Sequence, residues 1–201
     1  MARLIHTPFP AVRIKGERYR DVEKKVEAAS RHEAFVLFEK AKKRLNDINN
    51  WQMLCGKTPA EFSLTDGYGT ALHLSAPRIG DMIRVRCFDN GSDDFVWYRI
   101  TDFISERNLL KDTEDFGFRV ARVSGPASST SPAGHDGVTC TFVVTRSGCK
   151  VSAVEAERSQ IDHNGHVSSL QRFTGKIQSF FSWVNSSNQQ WKSLINGVLH
   201  Y

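Results

Sequence analysis

The sequence predicts an α+β protein in which a curved antiparallel sheet of about six to seven strands packs on a C-terminal helix. The first observation is that apolar and polar residues alternate between residues 82 and 157, as in 83–87 and 116–120. This period of two is typical of a sheet with one covered and one solvated face. The second observation is that helix-like apolar spacing precedes and follows this region. We expect one domain over residues 1–201, because 40% apolar and 24% charged residues are ordinary for a globular chain.

The N-terminal part is predicted to contain one strand and one helix. Residues 1–18 are expected to form an irregular arm, whereas the apolar spacing of Tyr19–Ala29 fits either a helix or a strand. Ser30 and Glu33 form a capping box, in which the serine hydroxyl accepts the Glu33 amide hydrogen and the glutamate reaches back. This helix start favours a strand for Tyr19–Ala29. The helix is expected to end between residues 46 and 50, where asparagines accumulate, and to bury Phe35, Phe38, Ala41, Leu45 and Ile48.

The middle of the chain is predicted to contain four strands: Glu61–Thr65, Met82–Phe88, Phe95–Phe103 and Phe116–Val123. Asn90-Gly91, which separates the second strand from the third, is typical of a tight hairpin turn. A charged loop over residues 111–115 precedes the fourth strand. Residues 124–137 are rich in serine, proline and glycine, and we expect them to form a mobile loop.

A second hairpin is predicted over Val138–Thr145 and Cys149–Ala156, with its turn at Ser147-Gly148. In that register Cys140 lies opposite Glu155, too far from Cys149 for a disulfide, whose Cα atoms lie within about 7 Å of each other. The cysteines show no CxxC spacing and are expected to be reduced. Neither a signal peptide nor a membrane span is expected, so a cytoplasmic location is predicted. One face of the hairpin carries Cys140, Phe142, Val144, Val151 and Ala153.

The C-terminal part is predicted to be helical, with two apolar stripes that need burial. The first stripe is interrupted at Gly175 and consists of Leu170, Phe173, Ile177, Phe181 and Val184. A new capping signal follows at Ser187 and Gln190. The second stripe consists of Trp191, Leu194, Ile195 and Val198. The concave face of the curved sheet is the expected place for the terminal helix.

This order of elements resembles the helix-grip fold of the START-like or Bet v 1-like superfamily, in which a curved antiparallel sheet wraps a long C-terminal helix. The stretch Val26–Phe35 is similar to that superfamily's first strand and the start of its first helix. Trp51 lies near a position where such proteins often have an aromatic residue. The segments 80–85, 116–120 and 139–144 also resemble a bacterial protein family of unknown function. The first resemblance implies a helix-grip-like fold, and no activity comes with the second.

The sequence contains no motif that identifies a reaction, since nucleophile elbows, P-loops, GxGxxG turns and HExxH helices are all absent. His163 and His166, and the acidic residues around Asn90-Gly91, are interpreted as solvated loops, so no metal is expected. The net charge of +5 is small and dispersed, so no nucleic-acid partner is expected. Carboxylates at strand ends could act as an acid/base pair if the ends converge, and the candidates are Asp102, Glu106, Glu155 and Glu157.

Three functional hypotheses follow. The first is a binding module without a cofactor that holds a small apolar or amphipathic ligand between the sheet and the C-terminal helix. Its candidate lining residues are Tyr98, which supplies a hydroxyl anchor, and Phe116, Phe118, Phe142, Phe173 and Ile177. Solid packing of the same residues is an equally open alternative. The second hypothesis is a protein-interaction or homo-oligomer module that uses Trp183, Trp191 or the 124–137 loop. The third is a lyase, cyclase or hydrolase that uses carboxylates at a cavity mouth.

Overall fold

The computed structural model describes residues 17–56, 60–73, 75–87, 95–126, 138–160 and 189–200. Most of the predicted N-terminal arm, most of the 124–137 loop, the Asn90-Gly91 turn and the first C-terminal stripe lie outside the described residues.

The core of the fold is a seven-stranded sheet in which every neighbouring pair is antiparallel. The strands follow the order β1-β7-β6-β5-β4-β3-β2 and the sheet is curled, which confirms the predicted fold class. Glu114 and Asp115, which were predicted in a loop, instead belong to β5 because the β4–β5 hairpin continues almost to its turn. The strands are β1 Glu17–Glu27, β2 Ala60–Thr65, β3 Met82–Cys87, β4 Phe95–Asn108, β5 Thr113–Val123, β6 Val138–Ser147 and β7 Lys150–Gln160.

In the described part of the chain three helices accompany the sheet: α1 Arg31–Asn46, the short α2 Trp51–Leu54, and α3 over residues 189–198. A 3-10 turn, Ile48–Asn50, joins α1 to α2. The Ser30 hydroxyl accepts a hydrogen bond from the Glu33 amide at 3.1 Å, and the Glu33 carboxylate accepts one from the Ala29 amide at 3.3 Å. These caps confirm the predicted helix start. The preceding segment is the strand β1, which decides between the helix and the strand that the sequence allowed for Tyr19–Ala29.

The buried face of α1 differs from the predicted one at Phe35, whose side chain is 42% exposed. Helix residues are separated by about 100°, so Phe35 lies at the edge of a face centred on Ala34. The small Ala34 side chain is fully buried where α1 packs over strands β5 to β7. The residues of α1 that are buried are Ala34, Leu37, Phe38, Ala41 and Leu45.

The second C-terminal stripe is confirmed, because Trp191, Leu194, Ile195 and Val198 are at most 2% exposed and belong to the main core. They place α3 in the concave face of the sheet, where the Trp191 ring contacts Tyr98 of β4 and Phe142 of β6. The end of α3 is held by Arg44 of α1, whose guanidinium donates to the carbonyl of Val198 at 3.0 Å and to that of His200.

The β6–β7 hairpin has a different turn from the predicted one. Ser147 pairs with Lys150, so Gly148 and Cys149 form the turn, and Cys140 lies opposite Glu157 rather than Glu155. The cause is Gly148, whose φ of 59° suits the first central position of a type II′ turn. The observed pairing differs from the predicted one by two residues, so every side chain keeps its predicted face of the sheet. The predicted core face is therefore confirmed despite the wrong turn.

An ion-pair network ties this hairpin to the neighbouring one. The Arg146 guanidinium, only 8% exposed, lies 2.8 Å from a carboxylate oxygen of Asp112 and 3.8 Å from one of Glu114. The Asp112 carbonyl accepts a hydrogen bond from the Gly148 amide at 3.0 Å. The hydrogen bond from Arg146 lowers the pKa of Asp112 below its usual value.

We expect this network to make stability sensitive to acid. Asp112→Asn should destabilise the protein at neutral pH, where the carboxylate is charged in both the folded and unfolded states. The difference in free energy of unfolding between the two proteins should shrink as pH falls from about 4, the ordinary aspartate pKa, towards the lowered pKa of Asp112 in the folded protein. Urea unfolding of both proteins between neutral and acid pH measures this. Asp102→Asn is the control, because that carboxylate lies 3.9 Å from Arg119 at the surface. If the Asp112→Asn variant and the native protein have equal free energies of unfolding at every pH, the prediction is contradicted.

Candidate functional site

One end of the concave face carries a group of polar side chains, which we call the polar cluster: Tyr98, Arg122, Cys140, Glu155 and Glu157. The strand register brings them together, because Tyr98 pairs with Arg122 across β4 and β5, and Cys140 pairs with Glu157 across β6 and β7. Glu155 lies opposite Phe142, whose ring is in the main core. All five therefore point to the same side of the sheet.

The carboxylates of Glu155 and Glu157 converge. Ligand atoms from these two residues and the Cys140 sulfur all lie within 4.8 Å of one another. Glu155 is fully buried, with 0% exposure, which is unusual for a carboxylate. The other two carboxylates considered from the sequence do not take part. Asp102 pairs with Arg119 and Glu106 with Asp115, so both belong to the outer face of the sheet.

Tyr98 is the buried phenol of the polar cluster, with 1% exposure. Within the described part of the chain its hydroxyl has no hydrogen-bond partner. Burial raises the pKa of this hydroxyl well above its usual value. The charges of Cys140, Glu157 and Glu155 add to that rise, whereas Arg122 opposes it. The hydroxyl is therefore a neutral group that can donate one hydrogen bond and accept others.

Aromatic rings lie next to the polar cluster, and we call those of Trp51, Phe118, Phe142 and Trp191 the aromatic wall. Trp51 is stacked on Phe118 with 6.1 Å between ring centroids, and its indole nitrogen donates to the carbonyls of Arg44 and Leu45 at 3.2 Å each. The Trp191 ring lies 5.2 Å from that of Phe142 and 5.9 Å from that of Tyr98. The indole nitrogen of Trp191 is also buried but, unlike that of Trp51, has no acceptor among the residues that the structure describes.

Four of the six predicted lining residues belong to the described part of the chain. Tyr98, Phe118 and Phe142 are buried on the concave face, and Phe116 packs against the same core while half-buried. Phe173 and Ile177 lie outside the described residues. Trp191, which the interaction hypothesis put at a surface, is only 2% exposed, so that placement is wrong.

Sequence reasoning also missed Glu155 as an interior group, although a signal was present. Val151, Ala153, Glu155 and Glu157 alternate in one phase along β7, and the first two were already assigned to the core face. Extending that phase by two steps places both glutamates inside.

A cleft of about 490 Å³ lies elsewhere, at the C-terminal end of α1, and is lined by Asn46, Asn49, His73 and other mostly polar residues. The side chain of Asn49 is already used to hold the adjoining segments, since it accepts from the Leu64 amide and donates to the Leu72 carbonyl.

The curled antiparallel sheet with a helix in its concave face is the helix-grip arrangement. Three of the solved structures that are similar to this chain have low sequence identity to it. A hypothetical protein from Helicobacter pylori is 14% identical over 97% of both chains, with a TM-score of 0.46. A point mutant of norcoclaurine synthase from Thalictrum flavum is 8% identical over 91% of this chain and 94% of its own, with a TM-score of 0.43. Major latex-like protein 151 from Panax ginseng is 6% identical over 88% of this chain and 97% of its own, with a TM-score of 0.39. At these identities the likeness concerns the fold alone.

No family model matches the chain, and no curated protein matches it. Within the described ranges, no helix is both long and apolar enough to cross a membrane.

Proposed function

We propose that this protein binds a small amphipathic molecule on the concave face, between the sheet and the C-terminal helix. The observation that carries the proposal is a pair of buried donors, the Tyr98 hydroxyl and the Trp191 indole nitrogen, which lack partners in the described part of the chain. Each such group left without a partner costs about 1–3 kcal/mol. A ligand that supplies an acceptor oxygen between them recovers this free energy.

The rest of the ligand is expected to be apolar or aromatic. The Tyr98 and Trp191 rings meet edge to face with 5.9 Å between centroids, beside the Phe142 ring. Small-molecule sites are mostly apolar with a few polar groups that fix orientation, and this face has that composition. Phe116, Phe118, Phe173 and Ile177 complete the proposed lining.

A titration with Prodan, a neutral fluorescent naphthalene ketone, tests the proposal. Its ring system matches the aromatic wall and its carbonyl oxygen can accept hydrogen bonds. We expect saturable binding with one probe per chain. Tyr98→Phe should weaken binding about 2- to 12-fold, since one hydrogen bond contributes about 0.5–1.5 kcal/mol.

Tyr68→Phe is the matched control, because Tyr68 is 89% exposed, and it should leave the affinity unchanged. Fluorescence that never saturates, or equal affinity in Tyr98→Phe and the native protein, would favour a solidly packed interior.

A cytoplasmic location is part of the proposal. It is supported by Cys55, Cys140 and Cys149, none of which is in a disulfide. Burial raises the pKa of Cys55 to about 12, so that thiol is unreactive at neutral pH.

A further inference from the structure

Three groups of the polar cluster have the types and the spacing of metal ligands. Cys140 and Glu157 are directly opposite on β6 and β7, and Glu155 lies two residues further along the same face. Their ligand atoms lie within 4.8 Å of one another. Around a tetrahedral zinc ion, with bonds of about 2.0–2.3 Å, neighbouring ligand atoms are roughly 3.3–3.8 Å apart. A separation of at most 4.8 Å is therefore close to the spacing that a tetrahedral site requires.

Tyr98 provides a second and independent observation. Its hydroxyl is buried, has no hydrogen-bond partner in the described ranges, and interacts electrostatically with Cys140, Glu155 and Glu157 together. A phenol in that position can hydrogen-bond to a water or another ligand on a metal ion. Such a hydrogen bond would orient a fourth ligand beside the three protein groups.

The charges of the polar cluster fit a divalent ion. A thiolate and two carboxylates carry three negative charges, and Arg122 on the same face carries one positive charge. A divalent cation opposes the negative charge of the thiolate and the two carboxylates.

We propose that Cys140, Glu155 and Glu157 bind a divalent transition-metal ion of the zinc type, with Tyr98 beside an open fourth position. The cysteine selects against calcium and magnesium, which prefer oxygen ligands alone. The site adjoins the proposed small-molecule site and shares Tyr98 with it, but its ligands are the thiol and the carboxylates rather than aromatic rings. No metal was expected from the sequence, because Glu155 and Glu157 were interpreted as carboxylates at a strand end and Cys140 as a partly buried thiol.

Cobalt(II) titration tests the proposal, because cobalt bound to a thiolate gives a charge-transfer absorption band in the near ultraviolet. We expect the band to grow until one equivalent is bound and to disappear when zinc is added. Cys140→Ala should abolish the band, and Glu157→Gln should weaken zinc binding about tenfold or more.

Two controls separate this site from the thiols of Cys55 and Cys149. Cys55→Ala and Cys149→Ala should keep the band, because neither sulfur belongs to the polar cluster. If Cys140→Ala does not fold, Glu157→Gln decides the question through zinc affinity alone. A native protein without the band, a band that survives in Cys140→Ala, or unchanged zinc affinity in Glu157→Gln overturns the proposal. Prodan binding is measured separately, so either site can fail alone.

Discussion

Trp51→Ala is expected to destabilise the protein by about 3–5 kcal/mol, the range for removing a large aromatic side chain from a packed core. Trp51 has 0% exposure, and its ring contacts those of Phe62, Phe118, Phe142 and Trp191. The substitution removes all four ring contacts and both indole hydrogen bonds. No polar group replaces the indole donor, so the carbonyls of Arg44 and Leu45 lose a partner as well.

Met53→Ala is the matched control, because Met53 lies in the same short helix and is 77% exposed. It should change stability by less than about 0.5 kcal/mol. Urea unfolding followed by circular dichroism gives both values. A loss below about 1 kcal/mol for Trp51→Ala would show that this ring is not enclosed as described.

Gly197→Ala is the second substitution with a large expected effect. A Cβ atom at residue 197 would lie 2.2 Å from the carbonyl oxygen of Leu54 and 2.8 Å from its carbonyl carbon. Those atoms belong to the backbone of α2, so the end of α3 must move. Overpacking of this kind costs about 1–3 kcal/mol and occasionally more. It outweighs the gain of about 0.8–1.0 kcal/mol that alanine otherwise brings over glycine within a helix.

Asn196→Ala provides the comparison, because residue 196 is the exposed neighbour of Gly197 in α3. Alanine should be neutral or slightly stabilising there, since asparagine is the weaker helix former. Unfolding free energies of the two variants measure the difference. Stabilisation by Gly197→Ala would contradict the close packing of α3 on α2.

The sequence allowed the local elements to be predicted well, because their signals lie within a few residues. The Ser30–Glu33 cap fixed the start of α1, and period-two alternation identified the strands of the sheet. The α3 stripe at Trp191 and Val198 followed from helix spacing alone. The fold class could also be predicted, because an antiparallel meander with a terminal helix has few ways to bury both apolar faces.

The candidate site was harder to predict, because it depends on register and on contacts distant in sequence. One glycine position in the β6–β7 turn decides whether Cys140 faces Glu155 or Glu157. The meeting of Trp51 with Trp191 joins α2 to α3 across most of the chain, and no local pattern encodes that contact. The bulge in β4 between Ile100 and Asp102 likewise determines which face Asp102 takes.

The central claim is that Tyr98 and Trp191 supply buried donors for a ligand on the concave face. Indole ¹⁵N–¹H signals in NMR spectra recorded during a Prodan titration test it most directly, with the Trp191 signal assigned through Trp191→Phe. We predict that this signal moves saturably as its nitrogen gains an acceptor. The Trp51 signal should move less, because its nitrogen is already bonded to two carbonyls. Saturable Prodan binding that leaves the Trp191 signal in place would contradict the account.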